Sequence, residues 1–176
     1  MKLYIGTYND KKFGQLVIAL SEKGLRFISL HERRGLKNVI QHAEKYNLTL
    51  ARDSSKTKDI KRQLREYFHN KRKSFEAKLD IGYLKPFTQK VLKEAYKIPY
   101  GRTATYGQLA RKVGSAGASR AVGQVMAKNY IPIIIPCHRV IGSDGSLTGF
   151  GGGLGLKKRL LEMEGVVVKK GRVVRG

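Results

Sequence analysis

Hydrophobic and polar positions alternate early in the chain. Leu16, Ile18 and Leu20 fall on one side, and Leu25, Phe27 and Ser29 resume the alternation after Ser21-Glu22-Lys23-Gly24. A period of two on either side of a turn predicts strand, turn, strand. The period then lengthens, and the spacing predicts helices near residues 36–46 and 55–70. The second carries Ile60, Leu64, Tyr67 and Phe68 as an apolar stripe. Pro86-Phe87 opens a new segment in which Phe87, Val91 and Ala95 recur at helical spacing before Ile98-Pro99-Tyr100-Gly101. A boundary at 80–86 fits this change. The expected fold class is α/β (α+β): a small N-terminal α/β unit with antiparallel strands, residues 1–80, and a mostly helical C-terminal unit, residues 81–176. The function of the first unit is not legible in its residues.

Further on, Thr105-Tyr106-Gly107-Gln108 has capping-box spacing, so a helix is expected to start at Thr105 and run through Leu109, Ala110 and Val113 until Gly114. A third helix follows over residues 118–128, with Asn129 as its C-terminal cap. Two short helices joined by a Gly-containing turn suggest a helix-turn-helix. The second is unusual, because Ala118, Ser119, Ala121, Gly123 and Ala127 are small where a major-groove reader presents long polar side chains. Small residues allow close approach, so the helix is expected to sit in a groove, with the minor groove as a candidate and Arg120 as its long probe. The competing reading is packing against a neighbouring helix. Ile131 to Ile135 reads as a buried strand interrupted by Pro132. Gly149-Phe150-Gly151-Gly152-Gly153-Leu154-Gly155 lacks the Gly-Lys-Ser/Thr ending of a phosphate loop and the dinucleotide spacing. It reads as backbone approaching a planar ligand, with Phe150 as one wall, or as a plain surface loop.

Composition narrows the partner. In 176 residues, 36 Lys and Arg stand against 13 Asp and Glu, a formal net charge of +23. A merely solubilising charge on a small domain is about 2 to 8 in magnitude. The excess points to a polyanion, and to nucleic acid before a membrane surface. No apolar run reaches the roughly 20 residues a membrane span needs, and the first six residues lack a signal-peptide core. An intracellular, cytoplasmic protein is expected, nuclear if the source is eukaryotic, acting as a monomer.

Cys137 is the only cysteine and sits in Ile133-Ile134-Ile135-Pro136-Cys137-His138-Arg139-Val140. A lone cysteine forms no intrachain disulfide and no thiolate zinc site. Packing, redox sensing and nucleophilic attack remain. Burial alone would make the thiol inert, so the nucleophile reading needs His138 to favour the thiolate, through a turn or a bridging water, because neighbours in a regular strand point to opposite faces. Only Glu94, Asp144, Glu162 and Glu164 are acidic in residues 81–176, and Glu164, at the end of the helix carrying Leu156, Leu160 and Leu161, is preferred as the group orienting the histidine.

The combined pattern is similar to that of the O6-alkylguanine-DNA alkyltransferases. It rests on Pro136-Cys137-His138-Arg139-Val140, Asn129-Tyr130-Ile131-Pro132, Ser119-Arg120-Ala121-Val122-Gly123, Thr105-Tyr106-Gly107-Gln108-Leu109-Ala110 and Leu160-Leu161-Glu162-Met163-Glu164-Gly165. It covers residues 84–176 well and the N-terminal part only in its general layout. The resemblance implies a base-flipping protein used once, acting on double-stranded DNA containing O6-alkylguanine, with no cofactor and no metal. Cys137 would take the alkyl group, His138 would deprotonate it through a water, and Glu164 would orient His138. Asn129 would hold the active-site segment, Tyr106 would press on the DNA and donate to guanine N3, and Arg120 would fill the gap left by the flipped base. Ser119, Ala121 and Gly123 would lie in the minor groove, and Val140, Phe150, Gly151 and Pro132 would form the substrate pocket. Two departures stand out. Phe150-Gly151 replaces a Tyr and a bulkier residue, removing a hydroxyl and side-chain volume, and the cysteine-containing zinc site of some members cannot exist without a cysteine before Cys137.

Three alternatives make different demands. An alkyltransferase-like lesion binder lacks the reactive cysteine, a helix-turn-helix regulator predicts strong sequence preference, and a cysteine hydrolase has no use for the charge.

Overall fold

The structure, a computed structural model, describes residues 1–30 and 34–174. The chain divides into two compact units, Met1–Ile81 and Gly82–Gly176. In the first, β1 (Lys2–Asp10), β2 (Gly14–Ser21) and β3 (Gly24–Ser29) form an antiparallel meander. After α1 (Gly35–Lys45), β4 (Thr49–Arg52) joins β1 in parallel, giving the order β3-β2-β1-β4, and α2 (Lys58–Phe68) follows.

Both faces of β2 are covered. A Cβ on Gly6, which pairs with Ile18, would clash with Thr57 Oγ1, so α2 begins against that face. A Cβ on Gly35 would meet Val17 Cγ2 at 2.8 Å, which puts the start of α1 on the other. Leu16 to Ala19 are therefore buried without alternation. Between sheet and following loop, Arg26 and Asp80 pair at 2.8 Å with almost no exposure, and Ser21 donates to the same carboxylate at 2.5 Å.

The second unit opens with α3 (Pro86–Tyr96), whose first residue is a proline that needs no hydrogen-bond partner there. Next come β5 (Ala104–Thr105), α4 (Tyr106–Lys112) and α5 (Ser119–Ala127). The expected capping box is present. Gln108 N donates to Thr105 Oγ1 at 3.1 Å and Thr105 N to Gln108 Oε1 at 2.7 Å. Gly114, at φ 77°, ends α4, with Ser115 N donating to Ala110 O at 2.9 Å. A 3-10 turn, Cys137–Arg139, leads into β6 (Val140–Ile141), which pairs in parallel with β5. The chain continues through α6 (Leu154–Met163) to a hairpin of β7 (Val168–Lys169) and β8 (Arg172–Val173). Val168 packs with Ile141, Leu147 and Leu161, so this hairpin is folded onto the core of its unit.

Two expectations are corrected. Residues 131–135 are buried but are not a strand: Ile135 N donates to Ile131 O at 2.9 Å and Ile133 adopts φ 74°. The backbone groups there are satisfied locally and by a side chain rather than by a ladder, which an apolar run alone cannot reveal. The C-cap of α5 is Lys128, not Asn129. The Asn129 side chain is used elsewhere.

Candidate active site

Asn129 organises the segment in front of the cysteine. Its Oδ1 accepts from Ile131 N at 3.0 Å, and its Nδ2 donates to Ile135 O at 2.9 Å and to Cys137 Sγ at 3.2 Å. One amide thus closes the irregular loop and touches the sulfur. Pro136 precedes the 3-10 turn, whose first intraturn bond runs from Arg139 N to Pro136 O at 2.9 Å. The turn removes the strand geometry that would have set Cys137 and His138 on opposite faces. Cys137 is 2% exposed and His138 fully buried.

Glu164 is the C-cap of α6. Gly165, at φ 83°, donates to Glu162 O, and Val166 N donates to Leu161 O at 2.9 Å, so the helix ends in a fixed turn at this residue. The carboxylate is held from three sides. Oε1 lies 2.8 Å from His138 Nε2 and accepts from Arg139 Nη2 at 2.9 Å. Oε2 accepts from Arg139 Nε at 2.9 Å and from Gly101 N at 3.1 Å. Gly101 sits at φ 69°, and a Cβ there would approach Glu164 O to 2.9 Å, so both the conformation and the space require glycine. Arg139 is itself anchored by donating to Ile98 O at 2.6 Å.

These contacts set the protonation states. Burial would raise the Glu164 carboxyl, but the hydrogen bonds from His138 and Arg139 and the Arg139 charge outweigh it and hold it at about 2. Burial lowers His138 more strongly than Glu164 raises it, with Arg139 and Lys157 adding to the lowering. A neutral histidine facing an ionised carboxylate carries its proton on Nε2, which leaves Nδ1 as its basic nitrogen. Burial pushes the Cys137 thiol up, and the Asn129 hydrogen bond and the Lys157 charge pull it back only in part. At rest the site therefore holds a thiol, a neutral imidazole and a carboxylate.

Lys157 is a member that the sequence reading missed, and so is Arg139. Lys157 is fully buried and donates to Val140 O at 2.5 Å and Thr148 O at 2.6 Å, with burial pushing its ammonium down to about 8. It ties the residue after the nucleophile turn to the start of the glycine-rich loop. A signal was available: position 157 shares a helical stripe with Leu160, Leu161 and Glu164. For Arg139 the signal was a lone cation inside an otherwise buried run.

The remaining predicted residues are distributed as follows. Phe150 is buried and edge-on to His138, ring centroids 6.4 Å apart. Pro132 and Val140 are buried, whereas Gly151 is exposed. Tyr106, half-buried at the start of α4, donates to Thr148 O at 3.0 Å, the carbonyl Lys157 also uses. Arg120 is exposed in the first turn of α5, with Ser119, Ala121 and Gly123 half-buried beside it. A Cβ on Gly123 would stand 3.9 Å from the Tyr106 ring, in ordinary contact.

A thiol beside a buried His–Glu–Arg series, on the same unit as a pair of short helices with an exposed arginine, matches one family along nearly the whole chain. Residues 86–166 match 6-O-methylguanine DNA methyltransferase, DNA binding domain, and residues 3–81 match its ribonuclease-like domain. The chain belongs to the 6-O-methylguanine DNA methyltransferase family. It is 38% identical to the methylated-DNA–protein-cysteine methyltransferase of Methanosarcina acetivorans, over 89% of this chain and 95% of that protein. The constitutive enzyme of the same name from Bacillus subtilis is 36% identical, over 93% and 97%. Among solved structures, the O6-methylguanine methyltransferase of Mycobacterium tuberculosis superposes with TM-score 0.76 at 35% identity, covering 93% of this chain and 92% of that one. The M. tuberculosis protein in complex with DNA gives 0.78 at 34%, over 92% and 93%. Among the described residues, no helix is long and apolar enough to cross a membrane.

Proposed function

We propose that this protein repairs DNA by transferring an alkyl group from guanine O6 to Cys137, once per molecule. The observation that carries the reading is the buried sulfur, held by Asn129 at 3.2 Å and followed directly in the same turn by a histidine locked to Glu164 at 2.8 Å. His138 Nδ1 takes the thiol proton through a bridging water, and the imidazolium so formed is stabilised by the ionised Glu164. The thiolate attacks the alkyl carbon, the S–C bond forms and the C–O6 bond breaks. Its electron pair leaves with the guanine, which is reprotonated at N3 by Tyr106. The thioether has no leaving group that water can displace, so the protein is consumed. Nucleophile, base and acid all come from the chain, and the chemistry calls for no cofactor.

Access to O6 requires the base to leave the duplex, at a cost of a few kcal/mol that is smaller for a poorly paired lesion. The small-residue face of α5 fits the minor groove, and Arg120 occupies the vacated position. Pro132, Val140, Phe150 and Gly151 form the pocket, with the Val140 carbonyl keeping a second lone pair for the guanine edge beyond the one Lys157 uses. Residues 1–80 act as support, the protein works as a monomer, and a thiol that must stay reduced suits the cytoplasm.

Incubation with a duplex oligonucleotide containing O6-methylguanine tests this. One methyl mass is expected on the peptide bearing Cys137, with no turnover. An unchanged mass in a folded sample overturns the proposal.

A further inference from the structure

The N-terminal unit carries a charge pattern that alkyl transfer does not use. From Lys56 to Lys73 the chain places eight Lys and Arg against two acids, Asp59 and Glu66. The structure gathers part of this run around a surface cavity of about 320 Å³ lined by Arg62, Arg65, Glu66, His69 and Lys71. The four α2-side residues follow helical spacing i, i+3, i+4, i+7 and so share one face. The fifth is brought in by the way the helix ends. Asn70, at φ 57°, turns the chain, Asn70 N donates to Tyr67 O at 3.0 Å, and Lys71 N folds back to Glu66 O at 2.7 Å. This motif fixes Lys71 beside the last turn.

The charges in the cavity are not equivalent. Glu66 is claimed by Arg62 at 2.8 Å and by Arg72 at 2.7 Å, and these two arginines hold its carboxyl below the ordinary value. Arg62 is in turn shared with Asp59. Arg65 and Lys71 are exposed, and among the described residues neither side chain meets a carboxylate. His69 Nδ1 donates to Arg65 O at 2.8 Å, so its ring is oriented by the helix end. Arg65 and Lys71 thus line the cavity as two cations without an acid partner among the described residues, while Glu66 beside them is already paired.

We infer that this cavity is a binding site for a phosphate group, separate from the alkyl-transfer site. A planar fork and a three-donor point charge around one concavity suit a tetrahedral group with several acceptor oxygens. The volume is at the lower end for small-ligand sites, room for a phosphate and part of what it is esterified to. The phosphate comes either from a nucleic-acid backbone or from a free anion, and two measurements separate the sources.

Inorganic phosphate titrated into 15N-labelled full-length protein is expected to shift the amides of residues 62–71 in a saturable way, and Arg65→Ala/Lys71→Ala is expected to abolish the shifts. Both side chains are exposed, so far-UV circular dichroism and melting temperature should match the wild type. In the second arm, binding to an undamaged duplex is followed against NaCl, with Lys23→Ala/Lys37→Ala as a control of equal charge. A slope shallower than the control's by about 0.9 for each phosphate lost identifies nucleic acid as the source. A slope equal to the control's identifies a free phosphate or phosphate ester. Absence of saturable shifts at residues 62–71 overturns the site whatever the slope does. The phosphate arm is independent of alkyl transfer, so its failure leaves that reading intact.

Discussion

Replacing Lys157 with methionine keeps most of the side-chain volume and removes one charge from the interior. The ammonium donates to Val140 O at 2.5 Å and Thr148 O at 2.6 Å with no exposure to solvent. Hydrogen bonds to a charged group contribute about 1.5 to 3 kcal/mol each. Against this stands the desolvation penalty of the buried charge, several kcal/mol in effect, which methionine relieves. Methionine also leaves two carbonyls short of a donor, so a net loss of about 1 to 3 kcal/mol is expected for Lys157→Met in urea denaturation. The second effect is electrostatic. Burial raises the Cys137 thiol, and the Lys157 charge, present below about pH 8, is one of the groups pulling it back, so its removal should lower the thiolate fraction in that range. Iodoacetamide alkylation at about pH 7 should be slower than in the wild type, with the two rates converging above about pH 8. A variant as stable as the wild type, with an unchanged alkylation rate at about pH 7, would refute the view that Lys157 braces the pocket and favours the thiolate.

Glu164 supplies an acid-side signature. Its folded value of about 2 lies below the ordinary 4.5, so its stabilisation is complete above about pH 4.5 and is lost as pH falls through 2. The shift corresponds to about 3 kcal/mol. Glu164→Gln should flatten the stability curve in that window, and equal slopes in urea titrations would contradict the assignment. Asn129→Ala removes three hydrogen bonds, one of them to the sulfur, and should cost about 2 kcal/mol while raising the thiol inflection. Arg120→Ala is expected to leave the melting temperature unchanged and to slow transfer from duplex DNA far more than from free O6-benzylguanine. Equal slowing of both would remove its role as a probe of the stack.

Much of the C-terminal unit was legible because its signals are local. The Thr105–Gln108 capping box, the stop at Gly114 and the Pro-Cys-His-Arg run each declare themselves within a few residues. The N-terminal sheet was read only in part. β2 and β3 stood out, whereas β1, with Gly6 chosen for close approach by α2, and the four-residue β4 carry no clean alternation. Glu164 was found because acids are scarce beyond residue 81. Lys157 was lost among basic neighbours, because residue type dominated where helical phase should have. Residues 131–135 were misread since an apolar run reports burial, not the partner of each backbone group.

Ile133 has an evolutionary consequence. A β-branched residue at φ 74° is a backbone outlier, costing of order 1 to 3 kcal/mol, yet its side chain is 1% exposed in the core. Glycine would relax the backbone but empty a cavity costing about 2 to 5 kcal/mol, and asparagine would suit the angle but bury an amide in place of hydrocarbon. Each single exchange meets a penalty of its own, so the position is a local trap in sequence space. The loop behind the nucleophile can drift only if the position and its packing neighbours change together.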